Sequence, residues 1–213
     1  MLTVHHLRKS QSERIVWLCE ELGLDYTLKA YDREPVTLLA PAALKALHPM
    51  GAAPVIDDDG VVLAESGAIV DWLIARRGDG RLALPPSDPH FADYLYWLHF
   101  ANGNLQPAMG RNLLLNRLPL PADEPTVVAT RERLARMVGF VDARLADAPY
   151  LAGPRFTAAD VMTVFSLTTM RLAQPLDLTP FPNIRRYLLQ IGDRPAYRRA
   201  LALGDPGMAP LLE

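Results

Sequence analysis

At 213 residues, half of them hydrophobic and 22% charged, the chain has room for one large or two small domains with a real core. Its 22 Lys and Arg against 24 Asp and Glu leave a net charge of −2, which argues against nucleic acid or an anionic membrane as partner. The single cysteine, Cys19, excludes an internal disulfide and points to the cytoplasm, while no apolar run approaches the ~20 residues that span a bilayer.

Leu2 to Leu7 reads as a mostly buried strand. Ile15, Leu18, Cys19 and Leu22 follow at helical spacing, and Gly23 ends that helix. Tyr26 to Tyr31 reads as a second strand, parallel to the first because a helix connects them. An irregular helix is expected around Ala42 to Leu47. Pro54 to Ile56 and Val61 to Leu63 then form a hairpin across Asp57-Asp58-Asp59-Gly60, since an Asp-Gly step between apolar runs is a strong turn signal. Pro54 cannot donate to a sheet and suits a first residue or an edge. Ser66 stands where the next helix starts, and helix starts present backbone N–H groups and a positive dipole end to an anion.

Gly78 to Pro89 carries the densest Gly/Pro punctuation and is read as the domain boundary. Everything beyond it reads as helical. Phe91, Tyr94, Leu95, Leu98 and Leu105 share one face of a long helix, kinked near Gly103 and Pro107. Val127 to Leu145 marks another helix, with Glu132 and Arg136 paired on its wet side. Thr157-Ala158-Ala159-Asp160 has the form of a capping box ahead of a buried helix over Val161 to Leu172. Two short helices, over 182–191 and 195–203, close the chain. The fold class is thus α/β plus all-α: a βαβαββα domain over 1–78, a linker over 79–89 and an all-helical domain over 90–213.

This layout, and three motifs at its joints, resemble the cytosolic glutathione S-transferases, serine-type bacterial members in particular. The motifs are HHLRKSQSERIVWLCEELGLDYTL, HPMGAAPVIDDDGVVLAESGAIVDWL and GPRFTAADVM. The resemblance implies a thioredoxin-like first domain that binds glutathione as co-substrate. It also implies a small electrophile as second substrate, a homodimer formed through helices near 66–77 and 90–105, and a setting in detoxification. In the family, the proline at Pro54 is cis, the backbone of Ala53 and Val55 meets the tripeptide, and Glu65-Ser66 holds the γ-glutamyl end.

The thiol of glutathione attacks as thiolate, and at neutral pH a free thiol is mostly protonated. By resemblance Ser10 donates the hydrogen bond that favours the thiolate, with Ser12 as its substitute. Ser10-Gln11-Ser12-Glu13 also has the form of a capping box, a purely structural role. Ser66 can hold the γ-glutamyl carboxylate, and Glu65 its ammonium. Where relatives carry a long polar side chain ahead of this proline segment, the chain reads Gly51-Ala52-Ala53-Pro54. His48 or an arginine elsewhere is then left to meet the glycyl carboxylate; an exposed ionic contact of this kind is worth about 1 kcal/mol. Asn102, Asn104, Gln106, Met109 and Arg111 are the expected lining of the electrophile site, over Ser10 between the domains.

His5 and His6 lie in a strand, away from metal-ligand spacing, and read as packing or surface histidines. Cys19 reads as a buried inert thiol. Arg76 and Arg77 read as a solvated helix face. The leading function is conjugation of glutathione to an electrophile, with peroxide reduction or dehalogenation open to the same site. The alternative is a binding or regulatory module of the same fold without turnover.

Overall fold

Six buried residues in a row form strand β1 (Leu2–Leu7), and the sheet grows from both of its flanks. The computed structural model describes residues 1–213, which fall into two compact units: 1–83 with 192–210, and 84–191 with 211–213.

The first unit runs β1, α1 (Glu13–Leu22), β2 (Tyr26–Tyr31), α2 (Ala42–Lys45), β3 (Val55–Asp58), β4 (Val61–Ala64) and α3 (Ser66–Arg76). The strands lie in the order β2-β1-β3-β4, with β1 parallel to β2 and the other pairs antiparallel. This is the expected thioredoxin-like order of elements. Gly23 ends α1 at φ 61°, in the left-handed region where glycine costs least. The hairpin turn is tighter than expected. Asp59 and Gly60 both take positive φ, so β3 continues to Asp58 and only two residues make the turn. Asp57 Oδ1 accepts the Gly60 N–H at 2.9 Å. Lengthening β3 brings the Asp58 carboxylate to Trp72 Nε1 and Arg77 Nε, each at 2.8 Å. Arg77 is therefore an anchor between α3 and the hairpin rather than the solvated cation expected, and it holds the Asp58 carboxyl below the usual carboxylate range.

The last helix, α9 (Pro195–Gly204), also belongs to the first unit. Tyr197 meets Trp17 of α1 edge-on, with ring centroids 4.9 Å apart. Arg194 grips Glu21 through two bonds of 2.7 and 2.8 Å, and Arg199 reaches Glu20 at 2.8 Å.

The second unit contains α4 (Phe91–Phe100), a π turn over Ala101–Leu105, α5 (Gln106–Leu115), α6 (Pro125–Asp147), α7 (Ala158–Leu167), a 3₁₀ turn over Thr169–Leu172 and α8 (Pro182–Gly192). The π turn stands where a kink is expected, just ahead of Pro107, which has no N–H to return to the preceding turn. All ten residues of α7 are buried, and its N-terminus carries the full capping box of Thr157 and Asp160. No helix is long and apolar enough to cross a membrane.

Candidate functional site

The loop from β1 to α1 is pinned at Lys9, which sits in the left-handed region at φ 54°. Its N–H donates to Asp205 Oδ1 at 2.8 Å, and its carbonyl accepts from Arg33 Nη2 at 3.0 Å. The next residue, Ser10, is 7% exposed. Ser12 begins α1 but its own side chain caps nothing; Ser10 Oγ, two residues upstream, accepts the Ser12 N–H at 3.2 Å in the manner of a serine cap. The loop closes so tightly that the Ser12 hydroxyl points back at the strand it has just left. It accepts from Leu7 N–H at 3.0 Å and stands 2.8 Å from both Ser10 Oγ and His6 Nδ1. With no exposed surface, Ser12 cannot meet a ligand directly; Ser10 keeps the little exposure there is.

His6 corrects a second expectation. Strand alternation sends His5 and His6 to opposite faces of the sheet. His5 Nδ1 meets Tyr31 Oη at 2.9 Å, whereas His6 is wholly buried between Ser12 and Asp205, with Nε2 3.3 Å from Asp205 Oδ2. It is a polar group in a buried network, not a packing residue.

Beside this loop stands the segment before β3. The Ala53–Pro54 peptide bond is cis, and Ala53, Pro54 and Val55 are buried. Gln11 Nε2 donates to the Ala53 carbonyl at 3.0 Å, tying this segment to the serine loop. Of the two places expected for Pro54, a first residue or an edge, it takes the first, at the head of β3; the open edge is corrected, because β3 is an inner strand and Val55 has His5 on one side and Ala64 on the other. A peptide can approach it at its N-terminal end rather than along its flank.

Glu65, at φ 73° and exposed, turns the chain from β4 into α3, and Ser66 behind it is 2% exposed. The 11-residue helix α3 thus starts at a serine beside an exposed carboxylate, which suits a ligand end bearing both a carboxylate and an ammonium. Arg14, which the sequence reading passes over, is fully buried nearby. Burial lowers its guanidinium to about 10, with Glu13 and Glu65 opposing, so it is charged at neutral pH.

His48 Nδ1 is occupied by Met50 N–H at 3.2 Å, so this edge of the ring serves a local turn. Ala52 is exposed and offers no polar group. An open cavity of about 600 Å³ lies at Lys9, lined by Arg8, Lys9, Asp32, Arg33, Asp205 and the apolar Leu38 and Met208. Residues from both ends of the chain build it, which no local pattern discloses. Of the expected acceptor residues, all in the second unit, Asn102 and Gln106 are half-buried, and Asn104 lines a shallow groove with Tyr96 and Phe100. Met109 is fully buried in the core and Arg111 is exposed, so neither lines that groove.

The glutathione S-transferase N-terminal domain model matches residues 10–76, and the C-terminal domain model matches residues 89–195. Glutathione S-transferase 3 of Schizosaccharomyces pombe is 33% identical over 216 residues, which cover 94% of this chain and 86% of that protein. The chain belongs to the glutathione S-transferase family. A crystal structure of a glutathione S-transferase from Actinobacillus pleuropneumoniae superposes with a TM-score of 0.87 at 35% identity, covering 96% of this chain and 93% of that one. The disulfide-bond oxidoreductase YfcG of Escherichia coli is 27% identical over 215 residues, covering 96% of this chain and 98% of that protein. In this glutathione S-transferase the serine loop, the cis-Pro54 segment and the Glu65-Ser66 corner all lie within the first unit.

Proposed function

We propose that the protein is a serine-type glutathione transferase: it binds glutathione, holds its sulfur as thiolate at the Ser10 hydroxyl, and adds that thiolate to a small electrophile. The observation that carries this is the loop geometry. Ser10 is the one hydroxyl of its pair with exposure left, and Gln11 ties its loop to the cis-Pro54 segment. Glu65 and Ser66 take the γ-glutamyl ammonium and carboxylate, and the backbone at Ala53–Val55 takes the peptide. The cavity beside Lys9 admits the electrophile. Its lining sets Arg8, Lys9 and Arg33 against Asp32 and Asp205 beside an apolar wall, which favours a polar acceptor. A single buried cysteine fits work in the cytoplasm. The exposed Leu95 and Tyr96 on α4 fit a homodimer face, and a monomeric elution volume at micromolar concentration would refute that part.

The test is conjugation of a generic aryl halide by wild type and Ser10→Ala. A hydrogen bond to a charged group is worth about 1.5–3 kcal/mol, so the variant should lose roughly 10- to 100-fold in kcat/KM. Equal turnover would refute the role of Ser10, and glutathione binding without turnover in wild type would favour the non-catalytic module. The likeness to YfcG adds a second reading, in which the same thiolate attacks a disulfide. Cys19 is buried and could not serve as a resolving thiol, so glutathione would supply both sulfurs. Assaying a disulfide substrate beside the aryl halide separates the two.

A further inference from the structure

Four buried side chains stand in a row beneath the loop that carries Ser10. Ser10 Oγ is 2.8 Å from Ser12 Oγ, Ser12 Oγ is 2.8 Å from His6 Nδ1, and His6 Nε2 is 3.3 Å from Asp205 Oδ2. His6 Nε2 and Asp205 Oδ2 have no hydrogen bond elsewhere, and their 3.3 Å approach is a close contact of ring and carboxylate rather than a formed hydrogen bond; Asp205 Oδ1 is taken by Lys9 N–H. Gly204, the last residue of α9, lets the backbone come close to the ring; a Cβ there would lie 3.1 Å from His6 Nε2.

The direction of the protons in this row follows from valence. Each hydroxyl has one proton and two acceptor positions. One position on each is used by backbone: Leu7 N–H donates to Ser12 Oγ at 3.0 Å, and Ser12 N–H donates to Ser10 Oγ at 3.2 Å; the Leu7 carbonyl, 3.2 Å from Ser12 Oγ, is a longer alternative acceptor for the Ser12 proton than the two partners at 2.8 Å. The two 2.8 Å contacts then need one proton each. With a neutral His6 whose proton faces Asp205 from Nε2, Nδ1 accepts from Ser12 and Ser12 accepts from Ser10. Ser10 is left with a lone pair pointing outward, ready to accept from a thiol S–H. With His6 as imidazolium every bond reverses. Nδ1 donates to Ser12, Ser12 donates to Ser10, and the Ser10 proton points outward to a thiolate. Both 2.8 Å contacts carry one proton in either state, and the heavy atoms keep their places between the two.

We propose that His6 takes up the proton of the bound thiol through Ser10 and Ser12, and that the Asp205 carboxylate stabilises the imidazolium so formed. This rests on the reading of Ser10 given above. The S–H bond breaks and the Nδ1–H bond forms, while the protons of Ser10 and Ser12 each shift one place. A thiol and a neutral imidazole become a thiolate and an imidazolium, with no change in net charge. When the sulfur has given its electron pair to the acceptor, the bond to the leaving group breaks with its electron pair (or, in an addition, the acceptor keeps that pair); the His6 proton returns through Ser12 and Ser10 to that anion or to solvent, and the row resets.

His6 and Asp205 act through the two serines and are positioning residues. The charged groups around the ring are few. Asp205 faces it from the end of α9, Arg8 donates to the Gly204 carbonyl at 2.7 Å, and the Arg33 guanidinium interacts with Asp205. On β2 the residue beside His6 is Ala30, and α1 contributes only the serines ahead of it. Burial pushes the Asp205 carboxyl up, but His6, the Lys9 N–H and Arg8 outweigh it and hold the group as carboxylate.

The test begins with the wild-type protein and ¹⁵N NMR of the His6 imidazole, in complexes with glutathione and with S-methylglutathione at one neutral pH. The glutathione complex should carry one proton more on the ring, because only that ligand has a proton to give. Equal protonation in the two complexes would overturn the proposal, whatever the variants do. In parallel, the thiolate absorbance of bound glutathione is titrated in wild type, His6→Asn, Asp205→Asn and Ser10→Ala. His6→Asn and Asp205→Asn should each lower the thiolate fraction at neutral pH roughly tenfold, and leave S-methylglutathione affinity within about twofold. A wild-type titration curve in His6→Asn would overturn the relay. A wild-type curve in Ser10→Ala would instead overturn the role of Ser10, so the two failures are distinct.

Discussion

Cys19 lies on α1 with no exposed surface, and burial, reinforced by Glu20 and opposed by Arg77, pushes its thiol up to about 12. A thiol so placed has almost no thiolate at neutral pH and is no nucleophile. A thiol-specific disulfide reagent should therefore leave native protein unlabelled at pH 7 and label it fully in urea. Cys19→Ala should keep wild-type conjugation and cost about 1 kcal/mol of stability. Labelling of the native protein at the rate of a free thiol would contradict this. The sign of the pH effect is fixed too. The unfolded thiol ionises first, near 9.0, and the folded one near 12, so this contribution to stability is whole below 9.0 and is lost as pH rises through 12. Cys19 is legible in the sequence because helical spacing alone puts it on the buried face of α1. His6 is not. Two adjacent histidines in an apolar strand read as packing, and the carboxylate that gives His6 a partner lies at the other end of the chain. The usable signal was alternation: one of two consecutive strand residues had to face the S-x-S loop.

At the scale of elements, α7 shows how local chemistry fixes a structure. Asp160 accepts from Leu151 N–H at 3.0 Å, Thr157 N–H at 2.9 Å, Thr157 Oγ1 at 3.3 Å and Tyr187 Oη at 2.9 Å, all out of water. Asp160→Ala leaves these donors unpaired and should cost about 3 kcal/mol or more in urea unfolding, with Asp160→Asn between it and wild type. Burial lifts the Asp160 carboxyl to about 6 against the pull of those donors. A carboxyl raised on folding binds its proton more tightly in the native state, so this group adds stability on acidification. The gain is complete below the unfolded value of 3.8 and is lost as pH rises through about 6. The urea midpoint of wild type should thus move acid-ward of pH 6 in a way that Asp160→Ala does not share; parallel pH profiles would contradict it. This element is legible because its cap spans four consecutive residues. Ser10 to Glu13 has the same spacing signature, yet Ser12 within it caps nothing, since its hydroxyl finds strand partners behind it that sequence spacing cannot show. The hairpin is legible in place but not in length: Asp59-Gly60 suffices for the turn, and Asp58 is claimed by Trp72 and Arg77.

Over the whole molecule, periodicity identifies α9 as a helix but gives no sign of which core receives it, and chain order alone assigns it to the helical unit. Its buried face, Ala196, Tyr197, Ala200 and Leu201, packs in the first unit with α1. Tyr197→Ala removes the ring stacked edge-on against Trp17 and should cost about 3–4 kcal/mol. Where that loss is felt distinguishes the two assignments. Native-state hydrogen exchange should quicken in β1 and α1, which are remote in sequence, and stay near wild type in α6 and α7. Faster exchange confined to α6 and α7 would return α9 to the helical unit. The same variant bears on chemistry, because Asp205 follows directly on α9 and reaches His6 only while that helix is seated. Loosening α9 should therefore lower the thiolate fraction of bound glutathione at temperatures where the rest of the first unit is still folded. A C-terminal helix that holds the N-terminal site in its proton-accepting state is then a reason, beyond packing, for the chain to return to its first unit.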